Sequence, residues 1–195
     1  MVGYMLDMYA KRIEFATDAA PDLRQQYPYY DVTQIARTPY HAEQFEAYCD
    51  ENLLLNPDVP CQTGGIRQTV FGSDRASRYL LIKHPLLFLD GVVEPVTHPH
   101  YCNGATIADV TCVLYHYKFT ASFQAQVEES CRSDRYVTFA QRQYRRYRRK
   151  TRGAGALAID TPGTRRFGSV QELVDQGFLM MSPAYADFVE RGEAS

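Results

Sequence analysis

The chain has 195 residues, with 21 Lys and Arg against 23 Asp and Glu and a net charge of −2. At ~100–200 residues per domain, this length predicts one domain, residues 1–195, with a substantial core. The 45% hydrophobic and 23% charged fractions exclude a disordered tail, a collagen-like repeat and a disulfide scaffold. The apolar stretches fall far short of the ~20 residues that a transmembrane helix needs.

Five cysteines stand at wide spacing, and no Cys-x-x-Cys pair occurs among them. This odd, scattered set favours neither a disulfide framework nor a zinc ribbon, and it indicates a reducing compartment. The first ten residues lack the basic start and the cleavage site of a signal peptide. We therefore expect a cytoplasmic protein without a transmembrane segment.

Residues 1–119 carry the strand patterns. The segment from Val2 to Tyr9 is apolar nearly throughout, which predicts a strand buried within a sheet. Residues 18–30 are rich in Pro, Asp, Gln and Tyr and predict a loop, whereas residues 41–52 predict a helix. Two further strands are predicted over residues 78–89 and 112–119.

Residues 120–195 predict a mainly helical tail. Helices are expected over residues 120–133 and 136–149. A last helix is predicted from Ser169, which is an N-cap with Glu172 completing a capping box, to a stop at Gly177. Strands followed by helices indicate an α/β or α+β unit that ends in a helical tail.

The segment from Arg142 to Arg152 contains seven basic residues and no acid. One interpretation is a solvated helix whose Tyr144 and Tyr147 turn inward. The other is a face for nucleic acid or an anionic membrane surface. Because the chain is slightly acidic overall, we expect no specific nucleic-acid binding, and peripheral membrane contact stays open.

A double glycine, Gly64-Gly65, precedes Arg67. Two glycines let the backbone approach a ligand closely or adopt a positive φ, and the guanidinium could hold an anion or a sugar hydroxyl. The segment is not a Walker phosphate loop, because the Gly-Lys-Ser/Thr ending is absent. A plain tight turn is the alternative.

Histidines and carboxylates supply the remaining candidates. His98 and His100 lie in one loop and could bind a divalent metal or a substrate, or could simply be solvated. Alternation puts His116 and Lys118 on one face of a strand, where they could neutralise a phosphate or could form an ordinary polar face. The acids that could act as a general base, none of them selected by spacing, are Asp50, Glu51, Asp74, Asp90 and Glu94.

Several short motifs follow one another along nearly the whole chain. They are Met5-Leu6-Asp7-Met8-Tyr9, Tyr29-Tyr30-Asp31, Gly64-Gly65-Ile66-Arg67-Gln68 with Phe71-Gly72, Leu81-Ile82-Lys83-His84-Pro85-Leu86, His100, Ala108-Asp109 and Leu114-Tyr115-His116-Tyr117-Lys118-Phe119. A helix with Glu128-Glu129, the Tyr144 and Tyr147 stretch and the capped helix complete the order. Together they resemble the C-terminal half of bacterial glycosyltransferase family 2-like enzymes.

This resemblance implies an α/β fold, a partial GT-A (Rossmann-like) mixed sheet with flanking helices. It implies transfer of a sugar from a nucleotide-sugar donor to a glycan or other hydroxyl acceptor. Such enzymes hold a divalent metal, Mn²⁺ or Mg²⁺, on the donor diphosphate with an Asp-x-Asp motif, and none occurs in these 195 residues. The resemblance therefore implies a donor site that is incomplete, and a chain that is inactive alone.

The resemblance also assigns roles to individual positions. The substrate-binding positions are Gly64, Gly65, Arg67, His116 and Lys118. The family's loop histidine corresponds to His100, with His98 as a nearby substitute. The resemblance assigns metal binding to this position. The base is assigned to Asp74 or Glu94. Two rival hypotheses are a non-catalytic scaffold module that uses the basic segment 142–152 on an anionic surface, and a metal-dependent hydrolase built on the histidines.

Overall fold

The structure is a computed structural model, and it describes residues 1–15, 22–39, 53–54, 58–72, 79–89, 91, 93, 100, 102, 104–133 and 139–192. The helix predicted over residues 41–52 lies outside the described residues. So do the base candidates Asp74 and Glu94 and the candidate metal ligand His98.

The centre of the fold is a three-stranded mixed sheet. Its middle strand, β1 (Val2–Asp7), is buried at every position, as the apolar pattern predicts. It pairs antiparallel with β7 (Ile82–Lys83) and parallel with β9 (Thr111–His116). The parallel register ends with Asp7 opposite His116, so both side chains lie at the same edge of the sheet.

Four smaller strand pairs surround this sheet. They are β2 (Arg12–Glu14) with β10 (Ala156–Ala158), β3 (Tyr29–Tyr30) with β11 (Arg165–Arg166), β4 (Ile35–Pro39) with β6 (Pro60–Gly64), and β5 (Leu53–Leu54) with β8 (Thr106–Ile107). Two of these pairs join the start of the chain to strands beyond residue 119. The architecture is therefore mixed α/β, a small mixed sheet with flanking helices, and the C-terminal part contributes strands as well as helices.

Six helices lie among the described residues. They are α1 (Leu23–Gln26), α2 (Ile66–Phe71), α3 (Phe123–Arg132), α4 (Phe139–Thr151), α5 (Val170–Asp175) and α6 (Pro183–Glu190). The predicted helices over 120–133 and 169–177 are confirmed, and the one predicted over 136–149 is confirmed from Phe139, where the described part begins. No helix in the described part of the chain is long and apolar enough to cross a membrane.

Three sequence predictions need correction. The loop predicted over 18–30 contains α1, because the Asp22 side chain accepts hydrogen bonds from the Arg24 and Gln25 amides and starts a helical turn. Only Ile82–Lys83 of the predicted strand over 78–89 forms a named strand. The helix after Ser169 is not the last, since Ser182 caps α6 by accepting from the Tyr185 amide.

Two buried clusters stabilise the fold. The first packs β1 residues such as Tyr4 and Leu6 against the C-terminal Phe178. The second is an aromatic cluster in which Phe71 contacts Tyr147 at a ring-centroid distance of 4.6 Å. The chain passes from the first cluster to the second between Met8 and Tyr9, so Asp7 lies close to the boundary of the two clusters.

Candidate functional site

Asp7 is the one carboxylate in β1, and it is buried at the C-terminal end of the strand. Its Oδ2 accepts a hydrogen bond from Arg67 Nε at 3.0 Å. Its Oδ1 lies 2.5 Å from Nδ1 of His116. The carboxylate therefore joins a helix and a strand that are far apart in sequence into one hydrogen-bonded cluster, which we call the Asp7 cluster.

Two opposing effects act on the Asp7 carboxyl. Burial raises the pKa of this group, because an ionised carboxylate loses its hydration. The Arg67 charge and the hydrogen bonds from Arg67 and His116 lower it, and together they hold the pKa below its ordinary value. Asp7 is therefore a permanent anion at neutral pH, and this anion fixes the orientation of both partners.

Arg67 reaches Asp7 because the double glycine turns β6 directly into α2. Gly64 has a φ of +98° and Gly65 a φ of +72°, both in the left-handed region. A Cβ on Gly64 would lie 2.9 Å from the carbonyl oxygen of Gln34. The amide of Gly64 donates to the Tyr79 carbonyl and that of Gly65 to the Gln34 carbonyl. The pair thus builds a tight turn, and neither glycine lines the cavity at His116.

The Arg67 guanidinium is almost completely enclosed, with 9% of its side chain exposed. It lies over the ring of Tyr79, 5.3 Å from the centroid. Its Nη2 is buried and has no hydrogen-bond partner among the described residues. A buried donor without an acceptor is costly, so Arg67 is held in the Asp7 cluster at an energetic cost.

His116 connects the Asp7 cluster to a cavity of about 300 Å³. About a third of its side chain is exposed, and Nδ1 is occupied by Asp7, which leaves Nε2 for a ligand. The cavity is lined by Met5, Lys83, His84, Pro85, Leu114, Tyr115 and His116. Its described lining therefore presents one ammonium and two imidazoles and includes no carboxylate.

The second imidazole of the cavity, His84, differs from His116. Burial is the main cause that lowers the pKa of His84, to about 4, and the charges of the N-terminus and His100 lower it further. Its Nδ1 lies 3.4 Å from Sγ of the buried Cys102. His84 is therefore neutral at pH 7, and Lys83 supplies the ammonium group of the described lining.

Lys118 lies in a different environment from the one that strand alternation predicts. β9 ends at His116, and Nζ of Lys118 donates to the Tyr144 hydroxyl at 3.0 Å. The ammonium also lies 4.8 Å and 5.6 Å from the ring centroids of Tyr144 and Tyr147. Burial raises the pKa of Tyr147, and the charge of Arg67 acts to lower it. The Tyr147 ring is thus a neighbour of both Arg67 and Lys118, and through it Lys118 borders the Asp7 cluster.

Of the two predicted metal ligands, His100 lies within the described residues and His98 lies outside them. His100 Nδ1 is hydrogen-bonded to the Ile82 carbonyl oxygen. Among the residues that the structure describes, no three His, Cys, Asp or Glu side chains converge to hold a metal ion. The divalent metal therefore stays a prediction, and no step below is assigned to it.

Sequence reasoning gave no role to Asp7 and Lys83, although both lie in quoted motifs. The signal for Asp7 is readable: an acid inside an apolar strand must find a buried cation or lose its charge. Of the predicted substrate-binding positions, the structure brings Arg67 and His116 together. Comparison with family models, with curated proteins and with solved structures found no match.

Proposed function

We propose that this protein is a glycosyltransferase-like domain that binds a nucleotide-sugar and serves sugar transfer to a hydroxyl acceptor. The observation that carries the proposal is the convergence of Asp7, Arg67 and His116 beside a cavity whose described lining holds no carboxylate. These residues come from three separate motifs of the family resemblance. A GT-A-like fold belongs to the same proposal, and the parallel pairing of β1 with β9 agrees with it.

The chemistry is the displacement of a nucleoside diphosphate. The bond between the anomeric carbon and the diphosphate oxygen breaks, and its electron pair leaves with the diphosphate. The acceptor oxygen forms the new bond to the anomeric carbon, and its proton passes to a carboxylate base. Asp74 and Glu94 remain the proposed bases. Positive charge near the leaving oxygen lowers the barrier, because it stabilises the charge that develops there.

His116 and Lys83 are the groups proposed to contact the diphosphate. Both line the cavity, and both can donate hydrogen bonds to phosphate oxygens. Asp7 and Arg67 are positioning residues: the carboxylate orients the imidazole, and the guanidinium holds the carboxylate in its ionised form. When bound, a divalent metal would supply further neutralisation of the diphosphate.

The proposal is tested by isothermal titration of the whole chain with uridine and guanosine diphosphate sugars, with and without Mn²⁺. Binding rather than turnover is the readout, because the resemblance implies an incomplete donor site. We expect a nucleotide-sugar to bind, and His116→Gln and Lys83→Gln to weaken it by about tenfold each. Lys11→Gln is the matched control, since Lys11 is exposed and pairs with Asp160 away from the cavity. No binding, or equal losses in the control, contradicts the proposal.

A second candidate function is a scaffold module that docks on an anionic membrane surface through α4. The exposed Arg142, Arg145 and Arg149 follow spacings of three and four, so they form one line on the side opposite the buried Tyr147. The described ion pair of this helix joins Glu128 to Arg148, which lies beside that line. Surface cations of this kind contribute about 1 kcal/mol each to binding anionic lipid.

Vesicle sedimentation distinguishes this second function. The unaltered chain should sediment with vesicles that contain phosphatidylserine, and the variant with Arg142, Arg145 and Arg149 all changed to Gln should not. Neutral vesicles should retain neither the unaltered chain nor the variant. A variant with Arg12, Arg165 and Arg166 changed to Gln controls for net charge. Unchanged retention in the first variant means that α4 is only a solvated face, and retention on DNA instead would reassign the surface.

A further inference from the structure

A second cavity, of about 410 Å³, lies against β9 and is separate from the proposed nucleotide-sugar site. Tyr115 and Tyr117 line it, whereas Leu114 and His116 line the first cavity. Successive residues of a strand point to opposite faces, so the second cavity opens on the other side of the strand, and Tyr115 borders both. Its volume is within the range of small-ligand sites.

The walls of this cavity are aromatic rings that the fold already holds in place. The Phe167 ring meets Tyr115 edge-on at a centroid distance of 5.3 Å and Tyr30 at 6.1 Å. The Phe167 amide donates to the Pro28 carbonyl at 2.8 Å. Tyr117 packs against the buried Tyr27 with a centroid distance of 6.4 Å. A ligand therefore meets preformed apolar faces and needs little ordering of side chains.

Among the described residues, the charged groups that line the cavity are two arginines, Arg24 and Arg166. The Arg24 guanidinium lies 5.6 Å from the Tyr115 ring centroid, and α1 fixes its backbone. Within the described part of the chain neither arginine forms an ion pair. Two described acids near these residues form hydrogen bonds to backbone amides: Glu172 accepts from the Gly168 amide at 3.3 Å, and Asp22 caps α1.

We propose that this cavity binds an anionic saccharide, a sugar ring that carries a carboxylate or phosphate group. Flat aromatic faces suit the apolar side of a sugar ring. Two guanidinium groups suit an oxyanion, because each can offer two parallel N–H donors to its oxygens. Neutral sugars lack the partner for both arginines. The inference concerns a different cavity from the nucleotide-sugar proposal and stands without it.

The test is calorimetric titration of the whole chain with glucuronate, glucose 6-phosphate and glucose. We expect at least one acid to bind, glucose to bind far more weakly, and the affinity to fall with added salt. Arg24→Gln and Arg166→Gln should each weaken the binding about 5- to 20-fold. Arg165→Gln is the matched control, because Arg165 precedes Arg166 in the same short strand and does not line the cavity.

Two further measurements keep the proposal falsifiable. In the unaltered protein, the ring resonances of Tyr117 and Phe167 should shift on titration with the bound acid. Lys11→Gln should leave the affinity for that acid unchanged, because Lys11 does not line this cavity. The relative affinities of glucuronate and glucose 6-phosphate identify the preferred acid group. No binding of either acid, equal binding of glucose, or equal loss in the Arg165 control overturns the inference.

Discussion

Asp7 and His116 stand opposite each other at the end of the only described parallel pairing of β1, and a 2.5 Å contact joins Oδ1 to Nδ1. The pairing register alone fixes this contact, since a slip of one residue would point one of the side chains to the opposite face. The cluster that we place at the centre of the function is therefore part of the core sheet. Its loss should be visible in stability as well as in binding.

Removal of the Asp7 charge is predicted to destabilise the fold strongly. Asp7→Asn leaves the enclosed Arg67 guanidinium without its carboxylate, and breaking a buried ion pair costs about 3–5 kcal/mol. Urea unfolding followed by circular dichroism measures the change. Asp160→Asn is the control: its carboxylate is 55% exposed, and the variant should lose less than about 1 kcal/mol. Equal small losses would show that the buried pair contributes little.

The low pKa of Asp7 predicts a loss of stability in acid. The folded-state pKa lies below the unfolded value, so the stabilisation is complete above about pH 4 and is lost as the pH falls through the folded value. Unfolding midpoints between pH 5 and pH 2 measure this loss. Asp7→Asn should flatten that part of the profile, and an unchanged slope would contradict the assigned pKa direction.

His84 predicts a second pH effect in a higher window. Burial lowers its pKa from 6.5 to about 4, so the unfolded chain binds the proton more tightly than the folded one. The contribution of neutral His84 to the free energy of unfolding is therefore fully present above about pH 6.5. It is lost as the pH drops towards 4, by about 3 kcal/mol in total. His84→Gln should remove the slope between pH 6.5 and 4. A slope of the same size in that variant would assign the effect to another group.

Gly64 is predicted to tolerate no side chain. Gly64→Ala combines a positive φ with a Cβ only 2.9 Å from a carbonyl oxygen, and we expect a loss of about 2–4 kcal/mol. Gly153→Ala is the matched control, because its φ is +73° and a Cβ there meets nothing within 4 Å. That variant should lose only about 1–2 kcal/mol, which is the cost of placing a residue with a Cβ at a positive φ. Equal losses would show that the Gln34 contact relaxes.

Lys118 is predicted to stabilise the aromatic cluster through its charge. Lys118→Met keeps an apolar side chain of similar length and removes the ammonium from the Tyr144 and Tyr147 rings, which should cost about 1–2 kcal/mol. Lys11→Met is the comparison, since Lys11 lies over the Tyr29 ring at 5.4 Å but is half exposed. Thermal unfolding of both variants measures the difference, and a neutral Lys118→Met would return Lys118 to the candidate ligands of the diphosphate.

Local sequence signals predicted the elements that depend on neighbouring residues. The apolar run of β1, the amphipathic α3 and the Ser169 cap are all of this kind, and all three are present. The missed α6 also has a readable signal, a serine cap followed by proline at the first helical position. These features could be read because helix and strand formation are partly local.

The site could not be predicted in the same way, because its contacts are distant in sequence. Asp7 meets Arg67 across 60 positions and His116 across 109. Motif spacing drew attention to Arg67 and His116 but could not show that a carboxylate joins them. The same limit applies to Lys118, whose partners lie on α4, and to the pairing of β2 with β10. Such contacts depend on the packing of the whole chain.

The most direct test of the nucleotide-sugar proposal is to follow the His116 imidazole by nitrogen-15 NMR while a uridine or guanosine diphosphate sugar is added. The proposal predicts a saturable shift of the Nε2 resonance while Nδ1 stays hydrogen-bonded to Asp7. The Lys83→Gln variant should need a higher nucleotide-sugar concentration to give the same shift. Lys11→Gln, altered away from the cavity, is the control and should give the same response as the unaltered protein. A His116 Nε2 resonance that stays unchanged at high nucleotide-sugar concentration would contradict the assignment of this site.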